Sequence, residues 1–235
     1  MFVIKSRKII ISITLSLIFI SSVICISAMN NSLSDKADAK VFKVVIDAGH
    51  GGIDGGVSGA ISGVKESDIN LSVSNKLSNY FISGGFSVTL TRSTEAGLYG
   101  SASGNLKRKD MLRRKEIIEK AKPNVVISIH MNKFSISTRR GAQVFYKAND
   151  EKGKLLANCV QESFNNMEEA SRKCSALCGD YYILNCSKYP SIIAECGFLS
   201  NPQDEALLVT DEYQDKLAYT IYKGVIEYLT ILESK

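Results

Sequence analysis

The chain has 235 residues, 45% of them hydrophobic and 23% charged, which suits one buried domain with a short appendage. Its net charge of +5 is uneven: residues 1–40 set Lys5, Arg7, Lys8, Lys36 and Lys40 against Asp35 and Asp38, leaving only +2 for the remainder. That balance excludes a nucleic-acid footprint, and the scarcity of proline, with no long charge runs, excludes extended disorder.

Residues 1–8 form a basic n-region, and Ile9–Ala28 follows without a single charge. At 1.5 Å rise per residue, such a run spans a bilayer of about 30 Å. Positive-inside reasoning keeps the first residues cytoplasmic and exports the rest. Ser27-Ala28 is an acceptable cleavage end, but Ile26 is a poor partner for it. Residues 9–28 therefore read as an uncleaved signal-anchor in preference to a signal peptide. This places the protein on the extracytoplasmic face of a membrane. Residues 29–41 are polar and read as a linker. The catalytic domain is expected over 42–233.

Within that domain, strand and helix patterns alternate. Phe42–Asp47 is a short apolar run that opens onto Gly49-His50-Gly51-Gly52. Ile69, Val73, Leu77 and Phe81 repeat every four residues and predict a helix over Asp68–Ile82, closed by Gly84-Gly85. Phe86–Thr91 reads as a strand, followed by a Gly/Ser-rich loop over Ala96–Asn105. A charged amphipathic helix is expected over Lys107–Lys122, stopped by Pro123. Val125–Ile129 is the next strand, ending at His130, with another at Gln143–Tyr146. A helix over Glu151–Met167, strands at Tyr181–Leu184 and Ser191–Cys196, and a closing helix over Gln214–Ile231 complete the pattern. Such alternation predicts an α/β fold: one domain with a central, mostly parallel sheet and helices on both faces.

Cysteines carry little signal. Cys25 lies in the leader, so Cys159, Cys174, Cys178, Cys186 and Cys196 remain, an odd number that cannot pair completely. Cys174 and Cys178 have no second close pair to build a metal site with. Scattered, mostly buried thiols are expected, ahead of one disulfide.

Histidines carry more. His50 and His130 are the whole supply, and each falls at the end of a predicted buried strand, the edge where α/β sheets assemble their sites. A lone histidine is more often structural; two at one edge make a ligand pair an equal reading. The glycine loop around His50 could also cradle phosphate, but neither a P-loop Lys-Ser/Thr nor a GxGxxG spacing follows it. Among carboxylates, Asp54 lies close to the His50 loop and Glu66 just before the second element. Glu195 interrupts the apolar run Ile192–Phe198, where an idle carboxylate is costly. By strand alternation Glu195 shares a face with Ile193, opposite Ala194 and Cys196.

Four runs, in order, resemble the N-acetylmuramoyl-L-alanine amidases of the third amidase type: Val44–Gly52, Lys65–Leu71, Ser128–Asn132 and Glu195–Asn201. Thr91-Arg92 and Arg114 also fit that pattern. The resemblance implies zinc held by His50, Glu66 and His130, with Glu195 as the catalytic carboxylate. It implies peptidoglycan as substrate, and Arg114, Arg172 and Asn132 as candidate contacts to it. Two imidazoles and one carboxylate would leave a position open for water, as in catalytic and not structural zinc sites. The family commonly has proline at Ala48 and a basic residue at Asn185. A bare domain behind a short anchor, with room for one helix between Tyr146 and Arg172, resembles the sporulation and germination members, which act in spore-cortex maturation and muramic δ-lactam formation. An activating protein partner is compatible with this reading. Its rivals are another zinc peptidoglycan peptidase or deacetylase, and a non-catalytic wall-binding protein of the same fold.

Overall fold

The computed structural model describes residues 41–101 and 103–234. The basic n-region, the anchor and the linker up to residue 40 lie outside the described residues. Among the described residues, no helix is long and apolar enough to cross a membrane.

The chain runs β1 (Lys43–Ala48), α1 (Glu66–Ser83), β2 (Ser87–Leu90), α2 (Leu106–Ala121), β3 (Val125–Asn132), β4 (Gln143–Tyr146), α3 (Glu151–Asn165), β5 (Leu177–Cys178), α4 (Tyr182–Asn185), β6 (Ser191–Phe198), α5 (Pro202–Leu208) and α6 (Asp211–Glu233). All six strands form one sheet in the order β2-β1-β3-β6-β4-β5. The first four in that order are parallel, whereas β4 runs antiparallel to β6 and carries β5 with it. The expected α/β class and mostly parallel sheet are what is found.

Strand alternation sorts the two faces. Val44, Ile46, Ile127, Ile129, Ile192 and Ala194 turn toward α1, α3 and α6, where Leu77, Phe81, Leu156, Val160, Leu217 and Ile221 meet them. The opposite face is more thinly covered: Val45, Val126 and Ile193 pack against Ile118 of α2 and Ile183 and Leu184 of α4. Toward the C-terminal ends of β1, β3 and β6 this second face turns polar. Asp47, Ser128, His130 and Glu195 replace the apolar series, and the parallel register sets Asp47 beside Ser128 and His130 beside Glu195.

Several elements differ from the sequence reading. Tyr181–Leu184 is not a strand: Tyr182–Asn185 makes one helical turn, its Leu184 and Asn185 amides returning to the Tyr181 carbonyl. An apolar run of four cannot by itself distinguish strand from turn, and the edge beside β4 is taken by Leu177–Cys178. Strand β3 continues through Asn132, so His130 lies within it and not beyond its end. Helix α1 begins at Glu66 itself. Helix α5 was not anticipated, although its start is signalled locally: Asn201 accepts from the Gln203 and Asp204 amides, and Pro202 takes the first turn. All five cysteines of the domain are free thiols; Cys159 and Cys196 are buried and Cys178 is exposed.

Candidate active site

The loop after β1 places His50 at φ 60°, a left-handed conformation that a residue with a Cβ adopts only under restraint. Two arginines supply the restraint. Arg92 donates to the carbonyls of Ala48 (2.9 Å) and Gly49 (2.9 Å), and Arg114 to those of Ala48 (2.8 Å) and His50 (2.6 Å). Arg114 is also ion-paired with Asp47 at 2.5 Å and Asp110 at 2.6 Å. The sequence reading offered Arg114 as a substrate contact. In the structure it clamps the loop: it is buried, each of its three nitrogens donates within the protein, and it lines the cleft from below the loop.

Asp47 anchors this clamp from β1, accepting from Ser128 Oγ (2.6 Å) and Thr91 Oγ1 (2.7 Å) as well as from Arg114. Burial favours its neutral form, but Arg114 and the two hydroxyls outweigh it and hold its pKa below the usual aspartate value. A depressed folded pKa contributes stability above the unfolded value, and this is lost as pH falls through the folded one. Asp47→Asn leaves the Arg114 charge without its buried partner, and should cost about 3–5 kcal/mol at neutral pH. In urea titrations the gap between wild type and variant should narrow below about pH 4. A gap independent of pH would exclude the ionised Asp47–Arg114 pair as its source.

Glu66 is the hub of the histidine pair. As the first residue of α1 it is buried, and its Oε2 accepts from the Val57 amide at 2.9 Å. Oε1 accepts from the Met131 amide (3.2 Å) and Asn70 Nδ2 (3.3 Å). The same oxygen lies 3.3 Å from His50 Nε2 and 2.9 Å from His130 Nδ1. Burial favours the neutral acid, yet the contacts with His130 and His50 hold the carboxyl well below its ordinary range. For His50, burial opposes the charged ring, but Glu66 and Asp54 raise its pKa above the ordinary imidazole value. Its Nδ1 lies 2.9 Å from Asp54 Oδ1 without a well-directed hydrogen bond.

One ligand atom from each of His50, Glu66 and His130 lies within 4.8 Å of the others, so the three can hold a metal ion. Two nitrogens and one oxygen form a donor set typical of a hydrolytic metal centre. The surroundings are fitted to it. A Cβ on Gly49 would meet the His130 ring at 2.3 Å, and one on Gly56 would meet Glu66 Oε2 at 2.4 Å, so both positions need glycine.

Glu195 stands beside His130 across the β3–β6 ladder, whose register shifts between His130 and Asn132. Its Oε2 is buried and has no hydrogen-bond partner. Burial pushes its carboxyl up to about 7; His130 and His50 counter that rise, while Glu66 adds to it. Glu195, the two histidines and Glu66 open into a cleft of about 450 Å³. Asn132 lines this cleft, as do Lys107, Lys133, Tyr181 and Tyr182, which sequence reasoning passed over because their positions depend on how loops fold. Asn132 Oδ1 accepts from the Lys133 amide at 2.8 Å, leaving its amide nitrogen to donate. Arg172 lies elsewhere: it is exposed and lines a separate groove with Arg139 and Arg140. Asn185 is tied to Asp180 (2.8 Å) and to the Tyr181 carbonyl (3.0 Å).

Two histidines and two carboxylates gathered in one cleft at the C-terminal edge of a mostly parallel sheet make this an α/β protein with a site fit for a metal ion and for hydrolysis. The family model of the third amidase type, described as N-acetylmuramoyl-L-alanine amidase, matches residues 44–227. The chain belongs to that family of peptidoglycan amidases. It is 34% identical over 191 residues to the germination-specific N-acetylmuramoyl-L-alanine amidase of Bacillus subtilis (strain 168), covering 80% of this chain and 79% of that protein. Among solved structures, the CwlD amidase from Clostridioides difficile, in complex with the GerS lipoprotein, aligns with a TM-score of 0.78 at 35% identity, over 81% of this chain and 99% of that one. The N-acetylmuramoyl-L-alanine amidase from Clostridium difficile 630 aligns at 0.72 and 29% identity, over 82% and 98%.

Proposed function

We propose that this protein is a zinc-dependent amidase that hydrolyses the bond between the lactyl group of N-acetylmuramic acid and the L-alanine of the peptidoglycan stem. The observation that carries the reading is the convergence of His50 and His130 on Glu66 Oε1, with the unpartnered Glu195 Oε2 beside them. Zinc held by His50, Glu66 and His130 would polarise the scissile carbonyl and acidify a water. Glu195 takes the proton of the attacking water and returns it to the leaving alanine amine, a cycle that leaves the residue unchanged. A carboxyl displaced toward neutrality suits both halves of that transfer. Asp54 lies 2.9 Å from His50 Nδ1, where a modest shift of either group would let it orient the ring. Arg92 and Arg114 hold the loop that presents it, and Asn132, which lines the cleft, would donate its amide N–H to a substrate carbonyl.

The cellular role follows from the substrate and the leader. Peptidoglycan lies outside the cytoplasmic membrane, and Ile9–Ala28 behind three cations would deliver the domain there as a signal-anchor. We place the enzyme in spore-cortex maturation, upstream of muramic δ-lactam formation, with the space between the forespore membranes as its working site. The germination-specific name of the Bacillus subtilis relative supports this role. The lipoprotein bound to CwlD supports an activating protein partner. Digestion of purified peptidoglycan by the zinc-loaded full chain tests the reaction. Mass spectrometry should find free lactyl carboxyls and released stems that begin with alanine. Cleavage within the stem, or loss of acetate, would replace the amidase reading with a peptidase or a deacetylase.

A further inference from the structure

A second groove, of about 590 Å³, opens beside the cleft. It is lined by Phe134, Ile136, Arg139, Arg140 and Arg172, among others. The loop after β3 joins the two: Lys133 lines the cleft and the next residue, Phe134, lines the groove. The charge here is strongly local. Lys133, Arg139, Arg140, Arg172 and Lys173 fall on two short segments; Asp204 is bonded to Arg140 Nε at 3.1 Å, and Glu169, which shares a smaller pocket with Arg172, is paired with Lys216.

The arginines are built differently. Arg139 holds its guanidinium 4.5 Å from the Phe134 ring centre and 5.8 Å from that of Phe198, a stacking that fixes its plane. Its Nε is buried without an acceptor, so a ligand in the groove would meet the terminal guanidinium nitrogens. Arg172 is exposed and makes no ion pair among the described residues. Between them, Phe134 and Ile136 are 38% and 59% exposed, giving the groove apolar walls under its cationic rim. Planar donors over an apolar floor fit a short acidic peptide with small side chains. A protein partner usually covers about 800 Å² of surface, more than this groove presents.

We propose that the groove is a second substrate contact, in which Arg139 and Arg172 bind a free carboxylate of the peptide stem beyond the first alanine. This rests on the amidase reading, because the stem enters the groove from the cleft. The stem would pass from cleft to groove along the loop after β3, where Lys133 lines the one and Phe134 the other. The groove thereby selects stems with ionised carboxylates over amidated ones.

The test uses the zinc-loaded full chain in detergent and two soluble substrates, a muramoyl tripeptide with free carboxylates and its amidated counterpart. Wild type should show a KM about tenfold lower on the acidic substrate, the yield of one bidentate charge-assisted contact. Arg172→Gln should raise that KM about tenfold with little change in kcat, and should leave the amidated substrate unaffected. Arg139→Gln should act in the same direction, whereas Arg172→Lys should restore part of the loss. An unchanged KM in Arg172→Gln on the acidic substrate would overturn the proposal and leave the groove to a protein partner. If wild type turns over neither substrate, the amidase reading fails separately. Titration of the free acidic tripeptide onto zinc-loaded Glu195→Gln then decides the groove: binding that Arg172→Gln abolishes supports it, and binding that survives overturns it.

Discussion

Glu195→Gln is expected to lower kcat by about two to four orders of magnitude, the usual range for losing a positioned general acid–base. Size and hydrogen-bonding capacity are kept, so what disappears is the ability to take and return a proton. Metal content should persist, because His50, Glu66 and His130 form a cluster without it. In the wild type, the rate should rise with pH along an acid limb as Glu195 ionises; burial sets that value near 7, and a bound cation draws it lower. The variant should lose this limb. Stability should move the other way. Folded Glu195 holds its proton to higher pH than the unfolded chain does, so ionisation opposes folding as pH rises from the ordinary glutamate value toward 7. The glutamine carries no such penalty, and the metal-free variant should melt a few degrees higher at neutral pH. Near-normal turnover would move the base to Asp54, which also lines the cleft. Metal lost together with activity would make Glu195 a ligand.

The readable part of this fold is where burial alone decides. Strands β1, β3 and β6 are buried on both faces, so their sequences are apolar runs that need no partner to be recognised. The four-residue spacing of Ile69, Val73, Leu77 and Phe81 declares α1 for the same reason. The site shows through these elements because His130 and Glu195 are polar exceptions in them, and a polar exception in a buried strand needs a cause. Legibility fails where the deciding partner is distant. The place of β4 depends on how the loop from Lys133 to Ala142 folds: so short a link favours an antiparallel turn, but nothing in it says that β4 pairs with β6 and not with β3. Tyr182–Asn185 and Leu177–Cys178 are too short for a period to be seen. In α2, a helix crowded with cations, only Arg114 and Ile118 are buried. Nothing local separates Arg114 from Arg113, which pairs with Glu116 on the surface. Its place under the His50 loop follows from Asp47, 67 residues away. Arg172 is hard to place for a related reason: a basic residue near the end of the sheet can face the cleft or the groove, and this one lines the groove.

Replacing Glu66 should separate the metal site from the fold. In Glu66→Ala, His50 and His130 lose the oxygen on which both converge, and bound metal should fall to background in elemental analysis, with activity following it. The same change strips the Val57 and Met131 amides of their acceptors. A buried donor left unsatisfied costs about 1–3 kcal/mol, so the alanine variant should lose roughly 2–5 kcal/mol in denaturant titrations. Glu66→Gln keeps a carbonyl oxygen that one of those amides can reach, yet removes the charge that raises His50. It should therefore lose metal as severely as the alanine variant while retaining most of the stability. Equal stability losses in both variants would mean that charge, and not hydrogen bonding, secures this corner of the sheet. Retention of one metal per chain by Glu66→Ala would break the ligand set, since two imidazoles alone do not hold a catalytic ion against competing buffer ligands. In that event Glu195, beside His130 with its Oε2 already unpartnered, would be the carboxylate to move into the coordination shell, and Asp54 would become the base.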